Sequence, residues 1–129
     1  MDKETEFQKI YDEAVAAGLQ AGEASIPTPM VVGTPKDFFS NEIDTTKKMY
    51  YVSDGVCGFA WVNVKPGTSS FAKWLVKKGY AKRDSYYGGV TIWISDYNQS
   101  MTRKEAHAHA MAKVFTNHEI RAQAMSRMD

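Results

Sequence analysis

The order of the predicted elements indicates an α+β domain with a ferredoxin-like core. Strands and helices alternate as β-α-β-β-α-β in the second half of the chain, which is the split βαβ motif. That motif places its first and third strands in the middle of an antiparallel sheet and both helices on one face. The predicted central strands, residues 59–65 and 90–95, are the most apolar ones, whereas the edge strands carry Lys82, Arg83 and Arg121.

Two regions precede this core in a chain of 129 residues, which is the length of one ordinary domain. Apolar side chains recur at helical spacing over residues 4–24, with acidic residues in the first turn, and predict a helix with one apolar face. Prolines and glycines between residues 25 and 46 predict a linker. We therefore divide the chain into an acidic N-terminal arm, residues 1–46, and an α+β core, residues 47–129.

Turn and capping residues mark the ends of the elements. A short extra strand at residues 49–52 precedes Ser53-Asp54-Gly55, a turn that reverses a hairpin, and this strand leaves open a different sheet order. Three consecutive hydroxyl residues open a helix that Gly79 stops, and Thr102 with Glu105 forms a capping box. The elements predicted after the turn are a strand at 59–65, a helix before Gly79, strands at 80–83 and 90–95, a helix from 102 to about 117 and a strand at 120–125.

The net charge of +1 conceals an asymmetry along the chain. Residues 1–44 hold nine Asp and Glu against three Lys and Arg, a net charge of −6, whereas residues 45–129 hold thirteen Lys and Arg against six Asp and Glu, a net charge of +7. Two interpretations follow. Either the basic body binds a polyanion, or the acidic arm folds back and neutralises its own body.

The cysteine content and the N-terminus bear on the cellular setting. The single cysteine, Cys57, cannot form an intramolecular disulfide, and the first residues lack the basic and apolar regions of a secretory signal. We therefore expect a reducing, cytoplasmic setting, with Cys57 as a buried structural residue. No apolar run approaches the roughly 20 residues that span a bilayer, so no membrane partner is expected.

Alternation along the two central strands separates aliphatic from aromatic side chains. Phe59 and Trp61 share one face of the first strand, and Trp93 lies on the corresponding face of the third. Because both helices of the motif cover the aliphatic face, the open aromatic face predicts a stacking platform for nucleic-acid bases. Alternatively, the N-terminal helix or a second copy of the chain covers these rings, which leaves a homo-oligomer open. The basic residues expected to contact phosphates are Lys65, Lys82 and Arg83.

A second candidate binding surface is a run of basic and aromatic residues between positions 73 and 87. Lysines near the C-terminal end of a helix also interact favourably with its dipole, so the run fits an ordinary solvated helix face as well. The residues of this 73–87 cluster are Lys73, Lys77, Lys78, Lys82, Arg83, Tyr86 and Tyr87, with Trp74 and Tyr80 between them.

The sequence predicts no catalytic residue, no metal ligand and no cofactor. His107 and His109 are two residues apart on a helix, so they point about 200° from each other and cannot chelate one ion. We interpret His107 as a residue at the boundary of the apolar stripe of that helix. Phosphate-binding loop, dinucleotide and zincin patterns do not occur in the sequence.

Four short parts of the sequence carry a resemblance to known proteins: Cys57–Val62, Tyr87–Val90, Gln99-Ser100 with Lys104–Ala106, and the ending Ser126–Asp129. They resemble a family of small proteins encoded in tailed-bacteriophage genomes. The resemblance covers about residues 50–129 and implies an accessory protein made inside an infected bacterium, or a minor part of the virion. It implies no catalytic or binding residue.

These observations lead to three functional hypotheses. The first is a non-enzymatic phage protein that binds a host protein or a nucleic-acid complex in the host cytoplasm, one form of which is inhibition of a host defence complex. The second is a structural virion component whose acidic arm straps onto a neighbour's basic body. The third is a small hydrolase or nuclease that uses His107 or His109 with Asp84 or Asp96.

Overall fold

The structure is a computed structural model that describes residues 2–25, 30–32, 50–52, 57–97 and 100–128. Its elements in chain order are helix α1 (Lys3–Ala24), strands β1 (Met30–Val32), β2 (Tyr50–Val52) and β3 (Gly58–Val64), helix α2 (Ser70–Lys77), strands β4 (Lys82–Arg83) and β5 (Val90–Trp93), helix α3 (Met101–Asn117) and strand β6 (Ala122–Met128). One four-stranded antiparallel sheet has the order β4-β5-β3-β6, and β1 pairs with β2 separately.

The α+β class is confirmed by this sheet and its helices. Strands β3 and β5 occupy the two central positions, where the apolar sequence of each strand had placed it. In register, Trp61 lies opposite Trp93, and Val62 lies opposite both Ile92 and Ala124. The proportions differ from those of a regular ferredoxin-like fold, since β4 has only two residues and α1 joins the two core helices. The ferredoxin-like assignment therefore stays a prediction.

Strand β2 lies outside the four-stranded sheet. The sequence predicts a hairpin turn from this strand toward β3, but β2 pairs with β1, with Met30 opposite Val52. Both edges of β3 are already bonded, one to β5 and the other to β6, so β3 has no edge left for β2. The turn Ser53-Asp54-Gly55 and most of the predicted linker lie outside the described residues.

Capping explains where the core helices begin and end. The hydroxyl of Ser69 accepts a hydrogen bond from the Ala72 amide and starts α2, and Gly79 follows that helix in the left-handed conformation at φ 79°. The predicted start of α3 at Thr102 is wrong. Ser100 caps this helix instead, accepting from the Arg103 amide, because a hydroxyl residue two positions earlier already satisfies the first turn.

The hydrophobic core lies between the sheet and the helices. Ala60, Val62 and Val64 of β3 are completely buried, which confirms that the aliphatic face of this strand points toward the helices. Burying a valine side chain completely stabilises the fold by roughly 1.5–3 kcal/mol, and the methyl group of Ala60 contributes less. The largest other contributors are Phe71, Trp74 and Leu75 from α2, Val90 and Ile92 from β5, and Met111 and Phe115 from α3.

Helix α1 packs on the helix side of the sheet, against α3 and α2. Its Phe7 and Tyr11 rings lie 5.8 Å and 6.3 Å from the Trp74 ring, and Ala14 is completely buried in the same core. The alternative in which this helix covers Phe59, Trp61 and Trp93 is therefore wrong. The apolar face of α1 finds its partners on the opposite side of the sheet, while the domain boundary at residue 46 stays a prediction.

A close approach between α1 and α3 depends on small residues in α1. A Cβ atom placed on Gly18 would lie 2.5 Å from the ring of His107, which is a forbidden contact. His107 is thus buried between the helices, at 4% exposure, and is not a boundary residue. Its Nδ1 lies 2.8 Å from the Tyr97 hydroxyl oxygen. Burial lowers the pKa of His107, and the carboxylate of Asp96 partly opposes this effect.

We expect the stability of the protein to fall on mild acidification because of His107. Its folded-state pKa lies below the unfolded value of 6.5, so the unfolded chain binds more protons in this range. The stabilisation is complete above about pH 6.5 and is lost as the pH falls through the folded-state pKa. The free energy of unfolding in urea, measured between about pH 7.5 and about pH 5, should therefore decrease. His107→Gln should weaken this pH dependence, whereas the control His109→Gln, at an exposed position of the same helix, should retain it.

We also expect Gly18→Ala to destabilise the protein. The 2.5 Å contact is severe, so overpacking against His107 should cost about 2–3 kcal/mol, whereas alanine gains about 1 kcal/mol of helix propensity over glycine. The expected net loss is about 1–2 kcal/mol in urea unfolding. The exposed substitution Gln20→Ala on the same helix should stay within about 0.5 kcal/mol of the original protein. A Gly18→Ala variant as stable as the original would contradict the close α1–α3 contact.

Candidate functional site

The sheet face opposite the helices carries an aromatic cluster, defined here as Phe59, Trp61, Tyr87 and Trp93. Trp61 and Trp93 stack across the β3–β5 pair, with ring centroids 5.5 Å apart and planes 9° apart. Phe59 lies 5.6 Å from Trp93, and Tyr87 lies 6.2 Å from Trp61. Aromatic cross-strand pairs of this kind stabilise a sheet, so the cluster is a built part of the fold.

The rings of the cluster differ in what they offer to a ligand. Trp93 is 48% exposed and Tyr87 is 43% exposed, so both present ring surface to solvent. Trp61 is only 6% exposed, and its ring packs against the rings of both. Its buried Nε1 has no hydrogen-bond partner within the part of the chain that the structure describes. Trp93 and Tyr87 are therefore the stacking surfaces, and Trp61 supports them.

The loop between β4 and β5 positions Tyr86 and Tyr87. Asp84 Oδ1 accepts hydrogen bonds from the amides of both tyrosines at 2.9 Å and 2.8 Å, and Oδ2 accepts one from the Thr91 hydroxyl at 2.8 Å. The bonds from Tyr87 and Thr91 are the main reason that the pKa of Asp84 lies below its usual value. Asp84 therefore holds the turn that presents the two tyrosines.

Trp93 separates two solvent-facing clefts on the open face. The first has a volume of about 400 Å³ and runs between Trp93 and the tyrosines of the loop, with Asp84 and Arg127 in its wall. The second, of about 450 Å³, lies toward the β4 edge of the sheet and is lined by Trp93, Lys82 and Tyr80. A flat ring that enters either cleft can stack on Trp93 with a cation close by.

Basic side chains surround the aromatic cluster. Lys82 lies opposite Thr91 in the β4–β5 pair, which puts it beside Trp93. Arg127 lies opposite Phe59 in the β3–β6 pair, with its guanidinium carbon 5.4 Å from the Phe59 ring centroid. The sequence did not single out Arg127, because the last strand was expected to end at Met125. The period-2 pattern continued to the chain end would have placed it on this face.

The 73–87 cluster does not form one surface. Lys77 Nζ lies 2.9 Å from a carboxylate oxygen of Glu4 in α1, and the ring centroids of Tyr80 and Tyr11 are 4.1 Å apart. This half of the 73–87 cluster therefore belongs to the helix side. Lys73 and Lys78 are exposed on α2. Lys82, Tyr86 and Tyr87 lie at the open face, whereas Arg83 lies opposite Val90 at the sheet edge.

Charge is distributed unequally between the two sides of the molecule. The acidic helix α1 folds back onto the body, where Glu4 pairs with Lys77 and Glu13 lies 3.0 Å from His118. Within the described ranges, neither Lys82 nor Arg127 forms an ion pair. Helix α1 therefore interacts with basic residues on the helix side, whereas Lys82 and Arg127 at the open face have no carboxylate partner among the described residues.

The reactive residue types lie apart from one another. Cys57 is exposed, contrary to the expectation of burial, because it forms an isolated bridge with Ser100 ahead of β3 and outside the core. Among residues 2–25, 30–32, 50–52, 57–97 and 100–128, no group of three His, Cys, Asp or Glu side chains could hold a metal ion. No helix in these ranges has the length and apolar character to cross a membrane.

A buried lysine is a further residue that sequence reasoning missed. Lys104 of α3 is 4% exposed, and its Nζ donates a hydrogen bond to the carbonyl of Gly58 at 3.3 Å. The same Nζ lies 5.5 Å from the centroid of the Phe59 ring. The cations of Lys104 and Arg127 thus both contact the Phe59 ring. We therefore interpret Phe59 as a supporting residue of the cluster and not as a stacking surface for a ligand.

Comparison with known proteins found no matching protein-family model, no matching curated protein and no matching solved structure. The chemistry of the open face is therefore indicated by its own geometry. That geometry combines exposed stacking surfaces, two clefts and a rim of cations without ion-pair partners among the described residues.

Proposed function

We propose that the open sheet face binds single-stranded nucleic acid. The observation that carries this proposal is the position of Trp93, half exposed between two clefts, stacked on Trp61 and flanked by Lys82. Exposed aromatic rings stack on bases of any sequence, and neighbouring Lys and Arg side chains contact the backbone phosphates. Each stacked base is worth roughly 1–3 kcal/mol.

The unpaired state of the nucleic acid follows from the stacking surface. Bases in a duplex stack on one another, so their faces reach a protein ring only when they are unstacked. Trp93 and Tyr87 both line the first cleft, so a base that enters it can contact either ring. A strand without pairing partners supplies such bases at low cost.

The charge distribution also supports a polyanionic ligand. The acidic residues of α1 lie on the helix side, whereas Lys82 and Arg127 lie on the open face. A strand that approaches the molecule is therefore attracted to the open face, where Lys82 and Arg127 have no carboxylate partner among the described residues. This arrangement favours the polyanion interpretation of the charge asymmetry for the open face alone.

The wider setting is part of the same proposal. We place this domain, with a ferredoxin-like core, among phage accessory proteins that act on a nucleic-acid complex in the host cytoplasm, and inhibition of a host defence complex is one form of that action. A virion strap is less well supported, since α1 packs on its own α3. A hydrolase is also less well supported, because His107 is buried behind Gly18 and bonded to Tyr97.

We expect Trp93→Ala to weaken binding to single-stranded oligonucleotides. Loss of one stacking contact, worth roughly 1–3 kcal/mol, raises the dissociation constant by about fivefold to a hundredfold. Fluorescence anisotropy with labelled oligonucleotides of about twelve nucleotides measures this, since that length covers one stacking platform. Trp93→Phe keeps a ring at the same position and should lose less affinity than Trp93→Ala.

A matched control lies on the other side of the molecule. Leu19 of α1 is also an exposed apolar side chain, at 37%, and Leu19→Ala should leave oligonucleotide affinity unchanged. If the original protein binds no single-stranded oligonucleotide, the proposal fails and a protein partner becomes the better hypothesis. Equal losses from Trp93→Ala and Leu19→Ala would also contradict a site at Trp93.

A further inference from the structure

Two basic residues face each other at one end of the open face. Lys65 directly follows β3 and Arg121 directly precedes β6, and the Lys65 amide donates a hydrogen bond to the Arg121 carbonyl at 3.0 Å. They continue the register in which Val64 lies opposite Ala122. Directly opposite residues of an antiparallel pair project from the same face, with Cβ atoms about 5 Å apart. Lys65 and Arg121 therefore form a like-charged cross-strand pair.

Like charges in this position are unfavourable unless an anion lies between them. Within the described residues, neither Lys65 nor Arg121 forms an ion pair. Asp84 is close enough for Lys65 to lower its pKa slightly, but its two oxygens already accept bonds from the loop amides and Thr91. Glu119 borders an adjoining cavity without reaching either cation. The positive charges of Lys65 and Arg121 are thus not neutralised by a carboxylate of the described residues.

A polar cavity of about 260 Å³ lies at this pair, lined by Lys65, Arg121, Asn63, Gln123 and Ala122. Asn63 is 3% exposed and is held by its bond to the Gly88 carbonyl at 2.9 Å. The stem of Lys65 packs closely against the neighbouring Gly89, where an added Cβ would lie 2.7 Å from Lys65 Cγ. The loop that presents Tyr87 therefore also positions Lys65.

We infer that Lys65 and Arg121 form a phosphate-binding subsite for the strand that stacks on the aromatic cluster. The ligand is a phosphodiester, from RNA or DNA, and the inference rests on the proposed function. Lys65 lies four residues from Trp61 along β3, roughly 13 Å at about 3.3 Å per residue. One strand therefore places a phosphate between Lys65 and Arg121 while one of its bases stacks on Trp93.

The salt dependence of binding tests this subsite. For single strands, the slope of log K against log salt concentration falls by about 0.7 for each phosphate contact that is lost. We expect the double variant Lys65→Gln/Arg121→Gln to reduce the slope by about 0.7 to 1.4, measured with labelled oligo(dT) and oligo(U) between about 50 and 200 mM salt. Trp93→Ala should lower affinity and leave the slope unchanged.

The matched control removes the same charge from the helix side. Lys73→Gln/Lys78→Gln alters two exposed lysines of α2 and should keep the slope of the original protein. An oligonucleotide of abasic spacers has no bases to stack but keeps its phosphates, so it should bind more weakly. The slope of log K against log salt concentration for this oligonucleotide should still fall in the Lys65→Gln/Arg121→Gln variant. That variant should also unfold at the same or a higher urea concentration, because a like-charge pair has been removed.

The outcomes separate the subsite from the proposed function. If the original protein binds oligonucleotides and Lys65→Gln/Arg121→Gln keeps its slope, the subsite is overturned and nucleic-acid binding stands. A slope that falls equally in the Lys73→Gln/Lys78→Gln control also overturns the subsite, because the effect would then come from the loss of any two lysine or arginine charges. If the original protein binds no oligonucleotide, both inferences fail.

Discussion

Strand β3 is hydrogen-bonded on both sides, and the open face depends on the register of those two pairings. The pairing with β5 puts Trp61 opposite Trp93, and the pairing with β6 puts Arg127 opposite Phe59. A slip of one residue in either pairing would turn a whole set of side chains to the other face. The burial of Val62 and its neighbours on the helix side makes such a slip unfavourable. The core that stabilises the fold thus also holds the aromatic cluster in place.

The position of α1 decides what remains exposed. Gly18 lets this helix approach α3 closely enough to enclose His107, and Phe7 and Tyr11 extend the contact to α2. All of this packing lies on the helix side, so Glu4 of α1 pairs with Lys77 there and not with a cation of the open face. Trp93 and the basic residues around it remain accessible as a consequence. One packing choice accounts for both the exposed rings and the uneven charge.

Local patterns predicted those parts of the site that depend on one strand at a time. Alternation in residues 59–65 and 90–95 correctly separated Val62 from Trp61, because the period of a strand does not depend on its neighbours. Element ends were less predictable. Ser100 and Thr102 both fit an N-cap, and only the packed helix selects the first. The last strand was predicted to end at residue 125, so Arg127 was not assigned to the open face.

The amino-acid pattern alone predicted an α+β domain and the side chains that share a face of each central strand. It could not determine what covers each face, because that depends on contacts between residues far apart in the chain. Only the tertiary structure placed α1 opposite the aromatic cluster, buried His107, exposed Cys57 and brought Lys65 beside Arg121. The last of these pairings joins residues 56 positions apart, and no local pattern in the sequence encodes it.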